Sequence, residues 1–353
     1  MSHWSRILFL CLFSSLALSG CSNVSYYLQS ADGHLDILAA RQSVDKLADD
    51  PSQPATLRAQ MLLARDIRQF ASDQLALPDN KSYKSYVDLG RDYVTLAIFA
   101  APEFSFTPKV WCFPVFGCVP YRAHFSIEAA RSERDALALQ GYDVYVSGVT
   151  AYSTLGWSSD PLLNTMFRDD ESHLAGVVFH ELAHQKLYFR NDSAFNEAFA
   201  VAVERTGIEK WHRENENSAG LRRYHQSVSR MADFLNLIGE TRRVLDGVYS
   251  GTGDQAQKRK AKERAIKRLQ ANYQHMREKR WGGYDGYDSW FEGPINNAKI
   301  AATAVYSDLV PDFLRLFGKC DADYPRFYRA VALLGSVDKA QRATALRDAA
   351  TCP

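Results

Sequence analysis

The sequence carries almost no excess charge of either sign. Its 42 Lys and Arg stand against 41 Asp and Glu, a formal net charge of +1, so the overall balance does not argue for a nucleic-acid partner. There is no internal repeat. No CxxC spacing occurs, which weakens a reading of the six cysteines as metal ligands. The apolar run from Ile7 to Leu18, broken only by Ser14 and Ser15, is too short for a stable membrane span. What is present suffices for a folded body. With 46% hydrophobic and 24% charged residues over 353 positions, the chain can bury a substantial core in one large domain or two ordinary ones, and it is not a disordered chain.

Arg6, the short apolar run and the small residues before Cys21 have the order of a secretory signal. The ending Leu18-Ser19-Gly20-Cys21 resembles the bacterial lipobox, in which Cys21 becomes the lipidated first residue of the mature chain. The competing reading is an ordinary signal peptide with a chance cysteine. Ser22, rather than aspartate, follows the cysteine and leans the expectation towards the outer membrane. The expected location is therefore the bacterial envelope: periplasm-facing, held to the membrane by an N-terminal lipid, with residues 1–20 removed. Cys112, Cys118, Cys320 and Cys352 then remain, and an even number in an exported chain suggests two disulfides with three possible connectivities. The favoured pairs are Cys112–Cys118, closing the aromatic loop CFPVFGC over Pro114 and Gly117, and Cys320–Cys352, pinning the C-terminal tail.

Residues 31–77 read as helical, with Pro51 and Pro54 separating two helices and Leu57, Met61, Leu62, Ala64, Ile67, Phe70 and Leu77 keeping a helical period. Residues 84–100 fit helix or strand. Strands are expected at Tyr121–Ser126 and Tyr142–Val149, with a helix at Ile127–Gln140 between them stopped by Gly141. After a loop over 151–170, helices are expected at 171–189 and 194–209, and long ones at 219–247 and 255–280. The basic run KRKAKERAIKR reads as a solvated helix face, with contact to anionic lipid headgroups as the sharper alternative. The stretch NNAKIAATAVYSDLVPDFLRLF predicts a helix stopping near Pro311, then another. The expected class is α+β, mostly α, with a small sheet.

The chemistry-bearing motif is His180-Glu181-Leu182-Ala183-His184. Residues four apart share a helix face, so the two imidazoles can meet one ion. Glu181 lies about 100° round the helix from His180 and can reach an activated water without joining the ligands. Leu174, Val177, Val178 and Leu182 supply the helix with apolar contacts. The competing reading is a pair of surface histidines. Beyond the polar turn Arg190-Asn191-Asp192-Ser193 comes Phe195-Asn196-Glu197. In an antiparallel hairpin centred between Arg190 and Asn191, His184 and Glu197 lie level, which makes Glu197 the third ligand of a His₂Glu site. Glu204, two turns further on, could hydrogen-bond the far ring nitrogen of His180, as carboxylates behind zinc-bound histidines do; the alternative is a surface glutamate beside Arg205. Asn196 is a second supporting candidate. One Zn2+ per chain is the expected cofactor, though other divalent ions can occupy such a site. Glu181 is the expected general base. Tyr306 is the first candidate for an oxyanion donor, with Tyr152, Tyr284 and Tyr287 as rivals. An extended peptide substrate could add to the edge of the strand Tyr142–Val149.

HELAHQ followed closely by NEAFA resembles the gluzincins, whose third ligand is a glutamate on the next helix. The spacing is shorter than in their thermolysin-like and large aminopeptidase branches. More closely, the chain is similar to the bacterial family of predicted aminopeptidase lipoproteins. YYLQSADGHLDIL, VWCFPVFGCVPYR, GYDVYVSGVTAYSTLGWSSDP, VVFHELAHQKLY, FNEAFAVAVE and INNAKIAATAVY carry that resemblance over nearly the whole mature chain. It implies the roles of His180, Glu181, His184 and Glu197 and a zincin-like metallopeptidase with a two-helix metal-binding hairpin. It identifies no residue that holds a substrate N-terminus. The expected layout is an N-terminal helical region at 21–108 packed on the body and a zincin-like catalytic region at 109–353 that forms one compact unit with it. The leading expectation is a zinc aminopeptidase acting on envelope peptides. The alternatives are an endopeptidase or processing protease, and a non-catalytic envelope scaffold, against which Glu181 argues because a structural site has no use for a base.

Overall fold

The computed structural model describes residues 26–27, 29–113, 117–151, 153–167, 170–304, 309–348 and 352. The signal segment, Cys21, Tyr152 and Tyr306 lie outside the described residues. Helix α1 (29–39) leads into β1 (Gln42–Ser43), α2 (Val44–Asp49), α3 (Ala55–Asp73), β2 (Ser85–Val87) and β3 (Thr95–Pro102). Then come β4 (Trp111–Phe113), β5 (Gly117–Val119), β6 (Arg122–His124), α4 (Ile127–Leu139), β7 (Tyr142–Val149) and β8 (Leu162–Leu163). Helices follow: α5 (Glu171–Lys186), α6 (Ser193–Glu214), α7 (Ser218–Ser250), α8 (Gln255–Lys279) and the short α9 (Asp288–Phe291). The last four are α10 (Asn297–Ala304), α11 (Val310–Lys319), α12 (Tyr324–Leu334) and α13 (Lys339–Asp348). The fold is α+β and mostly helical.

The main sheet has the order β6-β3-β7. β3 runs antiparallel to β7 from Thr95↔Val149 to Pro102↔Tyr142, and antiparallel to β6 from Leu96↔His124 to Ile98↔Arg122. The strand–helix–strand order expected from the sequence therefore straddles a third strand from earlier in the chain. Ala130 and Leu137 of α4 pack on Ile98 and Ala100, and Gly141, at φ +85°, turns the chain from α4 into β7. A smaller sheet joins β2 antiparallel to β1 and parallel to β8. The ambiguous segment 84–100 thus holds β2 and most of β3. The β4–β5 hairpin places Cys112 opposite Cys118, and a disulfide joins them. A second disulfide joins Cys320 to Cys352.

One apolar core runs from Ile37 to Leu346. Within it, Phe70 of α3 meets Phe179 of α5 and Trp211 of α6 at ring distances of 5.9 and 5.1 Å. Phe195 and Phe199 of α6 meet Phe313 of α11 at 4.8 and 5.9 Å. Gly207 makes this convergence possible: a Cβ there would sit 2.7 Å from the Phe179 ring and 2.9 Å from Leu75, so only glycine lets α6 come this close.

A second cluster, built on Phe234, Leu269, Tyr273, Trp281 and Ile300, holds α7, α8 and α10 together. Two cations of the basic run fasten α8 to the main sheet. Arg259 donates to both carboxylate oxygens of Glu103, and buried Lys262 pairs with Asp143 at 2.5 Å. The run is therefore not uniformly solvated, although Lys260, Arg264, Lys267 and Arg268 are exposed. Of the two helices expected around Pro311, α10 and α11, the proline sits in the first turn of the second, where its missing N–H is no loss. Among the described residues, no helix is long and apolar enough to cross a membrane.

Candidate metal centre

α5 begins at Asp170, whose carboxylate accepts from the Ser172 amide. Unlike a simple amphipathic surface helix, it is buried on nearly every side. The part left open is a stripe carrying His173, Val177, His180, Glu181 and Gln185. Six residues then lead to α6, with Asn191 at φ +63° in the turn. Contacts of Gly176 with Ile208, His180 with Glu204 and Phe189 with Asn196 show that α5 and α6 lie antiparallel.

That pairing brings four expected residues together. The Nε2 atoms of His180 and His184 are 3.1 Å apart. His180 Nε2 lies 3.3 Å from one Glu197 oxygen, and His184 Nε2 lies 3.6 Å from the other. One donor from each of the three residues falls within 4.8 Å of the others. Donors about 2.0–2.1 Å from a tetrahedral zinc sit roughly 3.3 Å from one another, so the set fits such an ion. Two imidazole nitrogens and a carboxylate turned onto one point is also an arrangement that a cation reconciles. Behind it, His180 Nδ1 lies 3.1 Å from Glu204 Oε2, where an Nδ1–H donates to the carboxylate and leaves Nε2 free to bind. His184 has no such support, because its buried Nδ1 lacks a hydrogen-bond partner. Burial disfavours the His180 cation, but its hydrogen bonds to Glu197 and Glu204 outweigh it and hold its pKa well above the ordinary value. Burial acts against the Glu197 charge too, but the His180 and His184 rings hold the Glu197 carboxyl far below the usual carboxylate range.

Asn196 does something different from the expected ligand support. It is buried, its Oδ1 accepts from the Phe189 amide and its Nδ2 donates to the Phe189 carbonyl, both at 2.8 Å, so it staples the turn between the helices. The turn is held from outside as well. Arg342 of α13 pairs with Asp192, and Lys339 donates to the Asn191 carbonyl. On the β4–β5 hairpin, a Cβ on Gly117 would lie 2.1 Å from the Asn191 side chain. At the other end of the pair, buried His212 of α6 has Nε2 2.8 Å from the Ser172 hydroxyl and Nδ1 3.5 Å from Glu171 of α5. Burial lowers its pKa.

Tyr284 and Tyr287 do not join the donors. Tyr287 stacks on Phe234 at 4.5 Å against the second cluster, and exposed Tyr284 lies under Arg230 at 4.1 Å. Three other tyrosines stand closer. The Tyr188 ring is 6.4 Å from that of His184. Burial, then the Glu197 charge, raises the Tyr188 hydroxyl; burial, then Glu197 and Glu181, raises that of Tyr121. Burial, then Glu181, raises that of Tyr83. Tyr188 lies two residues past the end of α5, near enough to His184 in sequence to be found. Tyr83 and Tyr121 come from distant segments, and no spacing signals them. A surface recess of about 570 Å³ between Phe104–Pro108 and Arg242–Ser250 contains none of these groups.

The model of a family described as "Putative aminopeptidase" matches residues 25–346. Neither a curated protein nor a solved structure matches the chain.

Proposed function

The chain belongs to that aminopeptidase family, and from this membership and the donor cluster we propose that it is a zinc-dependent peptidase, an aminopeptidase acting on peptides of the bacterial envelope. The observation that carries the reading is the meeting of His180 Nε2, His184 Nε2 and the Glu197 carboxylate, with Glu204 behind His180. In this reading the fold is zincin-like and the α5–α6 hairpin is its metal-binding unit. Bound zinc supplies Lewis acidity to the attacking water and the scissile carbonyl. His180, His184 and Glu197 hold it, and Glu204 fixes the ring orientation of His180. The Glu181 carboxylate takes the proton from the water and returns it to the departing amine nitrogen. Tyr121 joins Tyr306 as a candidate donor to the oxyanion. Lipid attachment at Cys21 would keep the protein on the periplasmic face of a membrane, in keeping with an envelope substrate.

The test uses the chain from Ser22 onward and its Glu181→Gln variant. Bound metal is measured together with cleavage of one peptide bearing a free N-terminus and one N-acetylated. About one zinc per chain, cleavage of the free peptide alone and none by E181Q would support the proposal. Cleavage of both peptides would make the protein an endopeptidase. Metal without cleavage would favour a scaffold, and absence of metal binding would refute the zinc reading.

A further inference from the structure

The basic run of α8 divides into two sets of cations. Lys258, Arg259 and Lys262 serve the fold. Lys258 donates to the Tyr249 carbonyl at 2.8 Å, Arg259 grips Glu103, and Lys262 donates to the Glu103 carbonyl at 3.0 Å as well as pairing with Asp143. Lys260, Arg264, Lys267 and Arg268 do not. All four are exposed, and none has an ion-pair or hydrogen-bond partner among the described residues. At 3.6 residues per turn they fall within an arc of about 100°, and the buried side chains Lys262, Leu269 and Tyr273 lie on the opposite side of the helix.

The helix itself resists this arrangement. Lys260 and Arg264 stand four apart, as do Arg264 and Arg268, and like charges at that spacing repel. A solvated, salt-bridged face alternates its signs, yet Glu263 is the only acid between Gln255 and Arg277. The acids that α8 does meet, Glu103, Asp143 and Asp288, are paired with Arg259, Lys262 and Arg277. The charge of the stripe is thus left for something outside the molecule. A protein partner needs a large apolar or aromatic anchor at the centre of its interface, and none of the exposed large apolar side chains lies on α8. The same lack excludes a helix that sinks into acyl chains. The net charge of +1 does not suit nucleic acid, which draws on a broad basic surface. Four cations on one helix face with no anchor among them match a flat layer of negative charge.

We propose that the outer face of α8 is a docking surface for the anionic headgroups of a phospholipid bilayer, met through Lys260, Arg264, Lys267 and Arg268. The cations lie against the headgroup plane without entering the bilayer, and each Lys or Arg so placed strengthens partition about fivefold. Arg259 and Lys262 bolt α8 to Glu103 at the end of β3 and to Asp143 of β7. Contact along α8 therefore fixes the angle at which the main sheet stands to the membrane, which attachment at a single point, such as a lipid at Cys21, leaves free.

The test sediments the zinc-loaded chain from Ser22 onward, which carries no lipid, with vesicles of phosphatidylcholine alone or of phosphatidylcholine with phosphatidylglycerol. The parent is compared with a variant in which Lys260, Arg264, Lys267 and Arg268 are all changed to Gln, and with Arg264→Glu. The parent should partition onto the phosphatidylglycerol vesicles only, and high salt should release it. The fourfold variant should partition at least about a hundredfold more weakly, and R264E, which removes two charges from the stripe, about twentyfold more weakly. Both should melt at or above the parent's temperature, because the repulsion is relieved and Glu at position 264 gains Lys260 and Arg268 as partners four residues away. No partition by the parent, or equal partition by parent and variants, overturns the proposal. So does a lower melting temperature in R264E, which would mean that the cations serve the fold. Tighter binding of the parent to polyglutamate than to the phosphatidylglycerol vesicles also overturns it, in favour of an acidic polypeptide partner.

Discussion

Glu204 decides how firmly the donor set is organised. Its carboxylate at His180 Nδ1 fixes both the ring angle and the nitrogen left to face Glu197. Truncation to alanine frees the ring, and partners of this kind are worth about 10–100-fold in metal affinity. Glu204→Ala should therefore weaken zinc binding by about that factor in a competition titration against a chelating dye, with Glu204→Gln keeping part of it; parental affinity in E204A would remove the residue from the design. His180, His184, Glu197 and Glu204 could all be read from the sequence because they lie on two consecutive helices, where sequence spacing converts directly into position. Tyr83 and Tyr121 could not, since the contacts that bring them to the site close over long, irregular stretches of chain. Asn196 was misread because adjacency to a ligand says nothing about which way a side chain leaves the helix.

At the scale of elements, His212 ties the start of α5 to the end of α6 in its neutral form, accepting from the Ser172 hydroxyl. Burial holds its folded pKa below the ordinary value, so protonation favours the unfolded chain. The stabilising contribution is present above the unfolded value of about 6.5 and is lost as pH falls through the lower folded value. Thermal melts should show the parent losing stability on acidification below about pH 6.5 more steeply than His212→Gln, which cannot titrate; identical slopes would exclude His212 as the cause. The helices and the β7 strand were legible because apolar periodicity and stop signals are local. The insertion of β3 between β6 and β7 was not, because strand pairing depends on partners that composition does not mark. Arg259 and Lys262 show the same limit, since their acidic partners Glu103 and Asp143 lie over a hundred residues earlier.

Across the whole molecule, the Cys320–Cys352 bridge closes a loop over 32 positions between the end of α11 and the tail. Loop-closure entropy assigns such a bridge about 3–4 kcal/mol. Cys352→Ser should lower unfolding stability by about that amount in a denaturant titration under oxidising conditions, and a change well under 1 kcal/mol would mean that the tail is held without it. The span it closes contains α13, whose Lys339 and Arg342 clasp Asn191 and Asp192 from 148 and 150 residues away. That clasp acquires another meaning when space is exchanged for time. A chain made from its N-terminus releases α5 and α6, with every proposed ligand on them, long before α13 exists. The turn that sets the two helices in register is fastened by residues that emerge 148 and 150 positions later. If the site binds an ion, its competence to do so would wait for α13, and a chain that had not yet reached α13 would carry the proposed ligands without the latch that holds their helices.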